Sequence, residues 1–463
     1  INISILGDEA PFADLLEGLP VASGDQLNHG LYEQIKSDLS AGAIQNGYFD
    51  ARFTSSRLLL DLNQRLADIE IEFDPQQRHR FGEVEIQRLD ELDEDFIRRF
   101  VNIEPGSPYS ANALIELRNT LNESLYFSDV SVSPALDRTV DTLVPVDVSL
   151  QARPRHVYGI GAGVTTDIGP RLRLDYQDRY LNRRGHNINA RVATSPIQQE
   201  VDLNYIIPMT RPAFESLRLS TGVLNQNNDS YENRTLKIGA AYSRLNRFDF
   251  RQNYFINYQH DEFRINEQDE VADLFILGSN VTRTRADDAI YPTAGWRAFA
   301  ELRGASRSLL STTSFTQLYG SGKFVQQLGV GRLLAKVDAG VSWVEDLNEL
   351  PVSVQFFAGG DQSVRGYKYQ SLGPLNDAGE LIGGRHLLVF GLEYDFSVLP
   401  TWKLAVFADA GNAFNTLNDF ELKTGAGIGL RWLSPIGPVR LDLASALDDD
   451  NSLRVHITMG PDL

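Results

Sequence analysis

No cysteine occurs in the 463 residues. That excludes disulfides, thiolate metal sites and thiol nucleophiles, and it is compatible with a periplasmic setting without proving one. No apolar run approaches the ~18 residues of a membrane-crossing helix. A membrane protein is not thereby excluded, because barrel strands alternate and average to a low hydropathy. Cationic residues are in the minority: 43 Lys+Arg against 62 Asp+Glu leave a formal charge of -19. Sequence-independent nucleic-acid binding, which needs stripes of Lys and Arg, is disfavoured. There is no Gly-x-Ser-x-Gly nucleophile elbow, no Walker loop, and the 7 His residues are scattered without close metal-ligand spacing. The expectation is a protein that is not an enzyme and uses no cofactor or metal. No signal peptide is visible, and the chain opens inside a strand-like stretch, Ile1–Ile5, so a processed or truncated chain is expected.

What is present divides into two textures. The first third repeats one order of elements. Ile1–Leu6 alternates like a strand, Phe12–Leu16 and Leu27–Gly42 have helical spacing, and Arg57–Leu62 and Ile69–Phe73 are strand-like. The order returns with Phe81–Ile86, Glu94–Val101, Ala111–Leu121, the aromatic stretch around Phe127, and Val144–Leu150; Phe127 follows Phe49 by 78 residues. Repetition at this period means two copies of one small α+β module, residues 1–77 and 78–154. Tyr48, Phe49, Tyr126 and Phe127 read as module core.

From His156 onward helical periodicity disappears. Sixteen alternating segments follow, from Val157–Thr165 to Leu453–Met459, an even number, as a single-chain barrel over 155–463 requires. Connections after even-numbered segments tend to be short. Several after odd-numbered ones are long and polar, such as Asn225–Arg234 and Asp261–Asp273. All 4 Trp residues fall at segment ends, where an interfacial girdle belongs. The fold class is therefore a 16-stranded antiparallel transmembrane β-barrel preceded by two α+β modules. Glycine runs in the first and fourteenth segments mimic a nucleotide fingerprint, but they lie inside strands and that reading is rejected.

A connection of about 39 residues, Asp346–Gly384, holds Gly359-Gly360-Asp361-Gln362-Ser363-Val364-Arg365-Gly366-Tyr367. Loops of that length in a compact region are functional or disordered, and this composition is not a disordered one. Alternation in the next two segments puts Glu393 and Asp409 opposite the apolar face. Both would point into a lumen, and an inward-folded Arg365 could pair with both.

The motif Val364-Arg365-Gly366-Tyr367, followed by Gly391-Leu392-Glu393-Tyr394 and Phe407-Ala408-Asp409-Ala410-Gly411, resembles the signature of the Bam/Tam-type outer-membrane assembly superfamily, along nearly the whole chain and most of all its TamA branch. The resemblance implies that the modules are POTRA domains in the periplasm and that the barrel lies in the bacterial outer membrane. It implies a factor that promotes insertion or secretion of autotransporter-type and other outer-membrane proteins without nucleotide hydrolysis. It further implies a TamB-like periplasmic partner bound through the POTRA domains, unfolded outer-membrane clients, contact with outer-membrane lipids, and a role in lipid traffic between the membranes. TamA-like proteins carry three such domains, so a further copy is expected before Ile1. A two-partner secretion transporter, exporting a partner protein through its barrel, shares the loop motif and stays open as an alternative.

One last site follows from closure. The first and last segments must meet at a seam with no connecting loop. Gly159, Gly161 and Gly163 share one face of the first, leaving few side chains to pack across the joint. The last is short, carries Leu453, Val455 and Ile457, and ends at Gly460 and Pro461, which cannot donate to a ladder. The seam is expected to be the weakest hydrogen-bonded pair and a candidate lateral gate.

Overall fold

The computed structural model describes every residue except 62, 229–230, 266–267, 348, 377–378, 380, 435–436, 450–452, 461 and 463. Pro461, singled out above, lies outside the described residues. The chain forms two compact units, one of Ile1–Arg155 with Asn182–Gly185 and Arg211–Ala213, the other holding the rest.

The first unit contains two three-stranded sheets. In one, β1 (Asn2–Ile5) runs parallel to β3 (Leu66–Asp74), which also pairs with β2 (Arg52–Asp61). Helix α1 (Ala13–Glu17) and the longer α2 (His29–Gln45) make the crossover. Helix α2 starts later than its apolar spacing predicts because Asn28 caps it, its side chain accepting from Gly30 N–H at 2.9 Å. Its buried stripe, Tyr32, Ile35, Leu39 and Ala43, packs with Phe12, Ile71 and Phe73. The second sheet repeats the plan: β4 (Arg80–Ile86) is parallel to the central β6 (Leu143–Ala152), and β5 (Phe127–Pro134) is the other edge. Helices α3 (Glu94–Arg98) and α4 (Ala111–Glu123) lie between β4 and β5 in sequence. Tyr48, Tyr126 and Phe127 are core. Phe49 is not: its ring packs edge-on against His79 and Tyr109 at 5.1 and 4.8 Å, joining one module to the next.

The second unit is one 16-stranded sheet in which every strand neighbours the next in sequence. Its first eight strands are β7 (His156–Thr165), β8 (Gly169–Asp178), β9 (Asn187–Thr194), β10 (Gln198–Pro208), β11 (Glu215–Asn227), β12 (Glu232–Leu245), β13 (Arg251–Ile265) and β14 (Gln268–Ala286). The rest are β15 (Ala294–Ala305), β16 (Phe315–Leu328), β17 (Gly331–Val344), β18 (His386–Leu399), β19 (Trp402–Phe414), β20 (Lys423–Ser434), β21 (Gly437–Ala446) and β22 (Leu453–Met459). Period-two alternation sorts the side chains. Tyr158, Ile160, Val201, Ile238, Ile256 and Val406 stand exposed on the outer face. The inner wall carries ion pairs such as Arg173–Asp175 and Arg191–Asp175 at 2.7 and 2.9 Å. Apolar outside and charged inside is the pattern of a barrel solvated by lipid. Trp296, Trp402 and Trp432 sit near one end of their strands, with Trp402 and Trp432 stacked at 5.9 Å, and Trp343 near the other end.

Two expectations are corrected. Asp261–Asp273 is not a loop: β13 and β14 stay paired from Arg251↔Thr282 to Ile265↔Gln268, a hairpin that outreaches its neighbours. Its polar residues hid the strand, yet Phe263 and Ala272 are buried there against Tyr231 and Val352. The seam is not a hydrogen-bonded pair. β7 and β22 are the two ends of the sheet, and among the described residues no ladder joins them although they run close together.

Candidate functional site: the infolded loop and the seam

The connection from β17 to β18 turns inward. Its first part packs under the tall hairpin, where Leu347, Leu350 and Val354 meet Leu274, Ile276 and Phe315. Farther on, Val364 (0% exposed) and Tyr367 are buried with Ala358, Leu372, Val389 and Ala446. That apolar seat aims Arg365 at the barrel wall. Arg365 Nε donates to Asp409 Oδ2 at 2.6 Å and Nη2 to Asp409 Oδ1 at 3.1 Å, a bidentate pair. Nη1 reaches Glu393 Oε2 at 2.8 Å and Asp442 Oδ2 at 3.1 Å. The guanidinium lies 3.5 Å from the centre of the Phe407 ring, a cation–π contact.

The cluster is larger than Arg365 and the two carboxylates the alternation marked. Arg431, on β20, binds Glu393 Oε1 from Nε and Nη2 at 2.9 and 2.8 Å and Asp442 Oδ1 from Nη1 at 2.5 Å. Lys336, on β17, donates to Ser363 O at 2.6 Å and lies 3.6 Å from Asp409. Three cations (Lys336, Arg365, Arg431) therefore face three carboxylates (Glu393, Asp409, Asp442), and the buried charge sums to zero. Only balanced, hydrogen-bonded charge can be held away from water at tolerable cost.

Glycine makes the close approach possible at two points. Gly366 has φ +100°, and a Cβ there would stand 2.7 Å from Ala446 N. On β20, a Cβ at Gly425 would lie 1.8 Å from the Arg365 carbonyl oxygen. Tyr367 then reaches Asp448 Oδ2 at 3.3 Å, and Asp448 also accepts from Thr424 Oγ1 at 2.8 Å. Asp448 stays exposed at its turn and is at the same time a partner of the loop.

At the seam, Gly159, Gly161 and Gly163 face inward, with open space where a Cβ at Gly163 would stand. On the opposite edge Leu453 and Val455 are exposed, at 67% and 50%, and Ile457 is half-buried. Gly460 N–H donates to Pro438 O at 3.0 Å. Beyond it, Asp462 turns into a second buried charge group: Arg332 Nη1 meets Asp462 Oδ2 at 3.1 Å, Arg332 Nε meets both Asp395 oxygens at 3.2 Å, and Arg440 also pairs with Asp462. Asp442, Arg431, Lys336 and, in the second group, Arg332, Arg440 and Asp462 were given no role by the sequence reading. Those on strands are in lumen phase, but phase does not say which charges a closed barrel brings together.

A protein named outer membrane protein assembly factor BamA, from Nitratidesulfovibrio vulgaris, is 22% identical over 432 residues, covering 87% of this chain. Another of that name, from Neisseria meningitidis serogroup B, is 21% identical over 536 aligned positions, covering 99% of this chain. The chain spans 53% and 66% of the length of these two relatives. Among solved structures, BamA from Haemophilus ducreyi lacking POTRA domains 1-3 superposes with a TM-score of 0.81 at 17% identity, covering 100% of this chain and 99% of that one. CdiB from Acinetobacter baumannii gives 0.57 at 13% identity, covering 99% and 89%. A model of the Omp85 superfamily domain matches residues 181–462, more than half of the chain and every strand that carries the Arg365 cluster, and on that match the chain belongs to the Omp85 superfamily.

Proposed function

We propose that this chain assembles other outer-membrane proteins, accepting client strands at the open seam. The observation that carries the reading is the pair of unpartnered edge strands, β7 and β22, running side by side in a sheet otherwise paired throughout. Lipid cannot satisfy exposed backbone groups, so such an edge favours an incoming strand. No nucleotide is needed, because the hydrogen bonds formed with the client drive the step. The same barrel, placed in the outer membrane with its two α+β modules in the periplasm, would work with a TamB-like periplasmic protein and guide autotransporter-type clients, with lipid transport as a second task. The relatives named BamA leave the choice between a Bam-type and a Tam-type partner to experiment. Co-purification from native membranes, with and without residues 1–77, is the measurement. A TamB-like protein that travels with the full chain and is lost on deletion supports the Tam branch; one retained undiminished removes the first module from the interaction.

The rival is export through the lumen by a two-partner secretion transporter, favoured by the likeness of fold to CdiB. Export would require the loop and its buried charges to leave the lumen; docking at the seam would not. The absence of Cys allows pairs to be introduced across Tyr158–Val164 and Leu453–Ile457 without background. Client assembly in nucleotide-free proteoliposomes should stop when the seam is locked and return on reduction. Equal activity locked and reduced would remove the seam from the mechanism.

A further inference from the structure

The two edges that share no ladder are nonetheless tied together, from inside, by the loop. Asp361 precedes Arg365 by four positions in the same turn. Its carboxylate accepts from Thr166 Oγ1 at 2.7 Å, and its backbone N–H donates to Asp167 Oδ2 at 2.7 Å, both in the turn that follows β7. The same carboxylate faces His456 Nδ1 on β22. Gly366 N–H donates to His456 Nε2 at 2.9 Å. With Nε2 accepting, the ring proton resides on Nδ1 and is donated to Asp361. The loop thus holds His456 by both nitrogens and holds the start of the barrel by Thr166 and Asp167. Asp361 and His456 are 8% and 3% exposed, so water competes weakly for these bonds. Among the described residues, the one direct polar tie between the edges is Ile457 N to Thr166 Oγ1 at 3.3 Å, a long contact to the hydroxyl that Asp361 already orients.

We propose that Asp361 is the clasp of the seam: it bridges the first and last strands through Thr166, Asp167 and His456, so that withdrawal of the loop frees both edges in one movement. The proposal rests on the reading of the seam as the site of client docking and supplies its control. Arg365 and its carboxylates anchor the loop to the wall; Asp361, at the far side of the same turn, spends that anchorage on the seam.

The test reads the seam directly. The full chain, spin-labelled at Ala162→Cys and Val455→Cys on the outer face, is placed in lipid bilayers and the inter-label distance distribution is measured by pulsed electron resonance. The unaltered loop should give one dominant distance. Asp361→Ala and Thr166→Val should each raise a longer-distance population, roughly tenfold or more for Asp361→Ala, the factor that corresponds to a lost charge-assisted hydrogen bond. Thr166→Val leaves every loop charge in place and decides the matter if Asp361→Ala does not fold. Distributions unchanged in folded Asp361→Ala and Thr166→Val would overturn the clasp, whatever the client assay shows. A widened seam with unaltered client assembly would uphold the clasp and remove the docking reading instead.

Discussion

Arg365 grips both oxygens of Asp409, at 2.6 and 3.1 Å, from a loop 44 residues upstream in the chain. The pair is buried, so each partner depends on the other for its charge. Arg365→Ala should leave Asp409, Glu393 and Asp442 facing only Lys336 and Arg431, at a cost of roughly 3–5 kcal/mol. Arg365→Lys should recover little, because an ammonium cannot reproduce the fork that binds Asp409 and reaches Glu393 and Asp442 together. Hydrogen exchange across Val352–Tyr367 is the measurement: both variants should lose protection there while the barrel strands keep theirs. Protection equal to that of the parent would mean that apolar packing around Val364 holds the loop unaided.

A methyl group at Gly425 has no room beside the Arg365 carbonyl. Gly425→Ala should displace the loop at about 1–3 kcal/mol, the usual cost of overpacking. Gly366→Ala adds backbone strain at φ +100° of about 1–3 kcal/mol. Gly163→Ala, with open space around it, is the contrasting case and should leave protease resistance of the loop unchanged. If all three behave alike, close approach is not what these glycines provide.

The contact between Asp167 and the loop should weaken in alkali. Burial first, and the neighbouring Asp361 charge second, push the Asp167 carboxyl well above the ordinary carboxylate range, with Lys336 opposing. A carboxyl raised in the folded state contributes stability that is complete below its ordinary value and is lost as pH rises through the raised one. Protease sensitivity of the loop should therefore increase between about pH 5 and pH 9. Asp167→Asn should flatten that rise, and a rise that persists unaltered in the variant would place its origin elsewhere.

At the other charge group the two acids are not equivalent. Asp395 is 0% exposed and, among the described residues, is bound by Arg332 as its one Arg partner, whereas Asp462 shares Arg332 with Arg440. Arg332→Ala should cost roughly 3–5 kcal/mol by stranding Asp395. Asp462→Asn should cost clearly less, because Arg332 keeps its main partner. Urea unfolding in detergent micelles ranks them, and the reverse order would show that the C-terminal contact matters more than the buried pair.

How much of this was legible in the sequence depends on the range of the signal. Period-two alternation needs only neighbours, so all sixteen strands and the inward phase of Glu393 and Asp409 could be read directly. Asp442 and Arg431 share that phase, but their distance to Arg365 is set by barrel closure, which no local pattern encodes. Asp361 stood in the quoted motif without a role because its partners, Thr166 and His456, lie 195 and 95 residues away. The hairpin around Phe263 was missed for a different reason. It rises past the apolar belt, so nothing forces its outer face to be hydrophobic and the alternation fades.

The bare inner face of β7 has a bearing on what the seam can distinguish. Under the proposed docking, Gly159, Gly161 and Gly163 would offer an incoming strand no side chains over the middle of the lumen face, between Val157 and Thr165. What remains there is main chain, which is chemically the same in every polypeptide. Adhesion along these glycines would therefore be indifferent to the visitor's sequence, so that the lumen side of the edge could serve many visitors equally. On the same proposal, discrimination between them would fall to surfaces that do carry side chains.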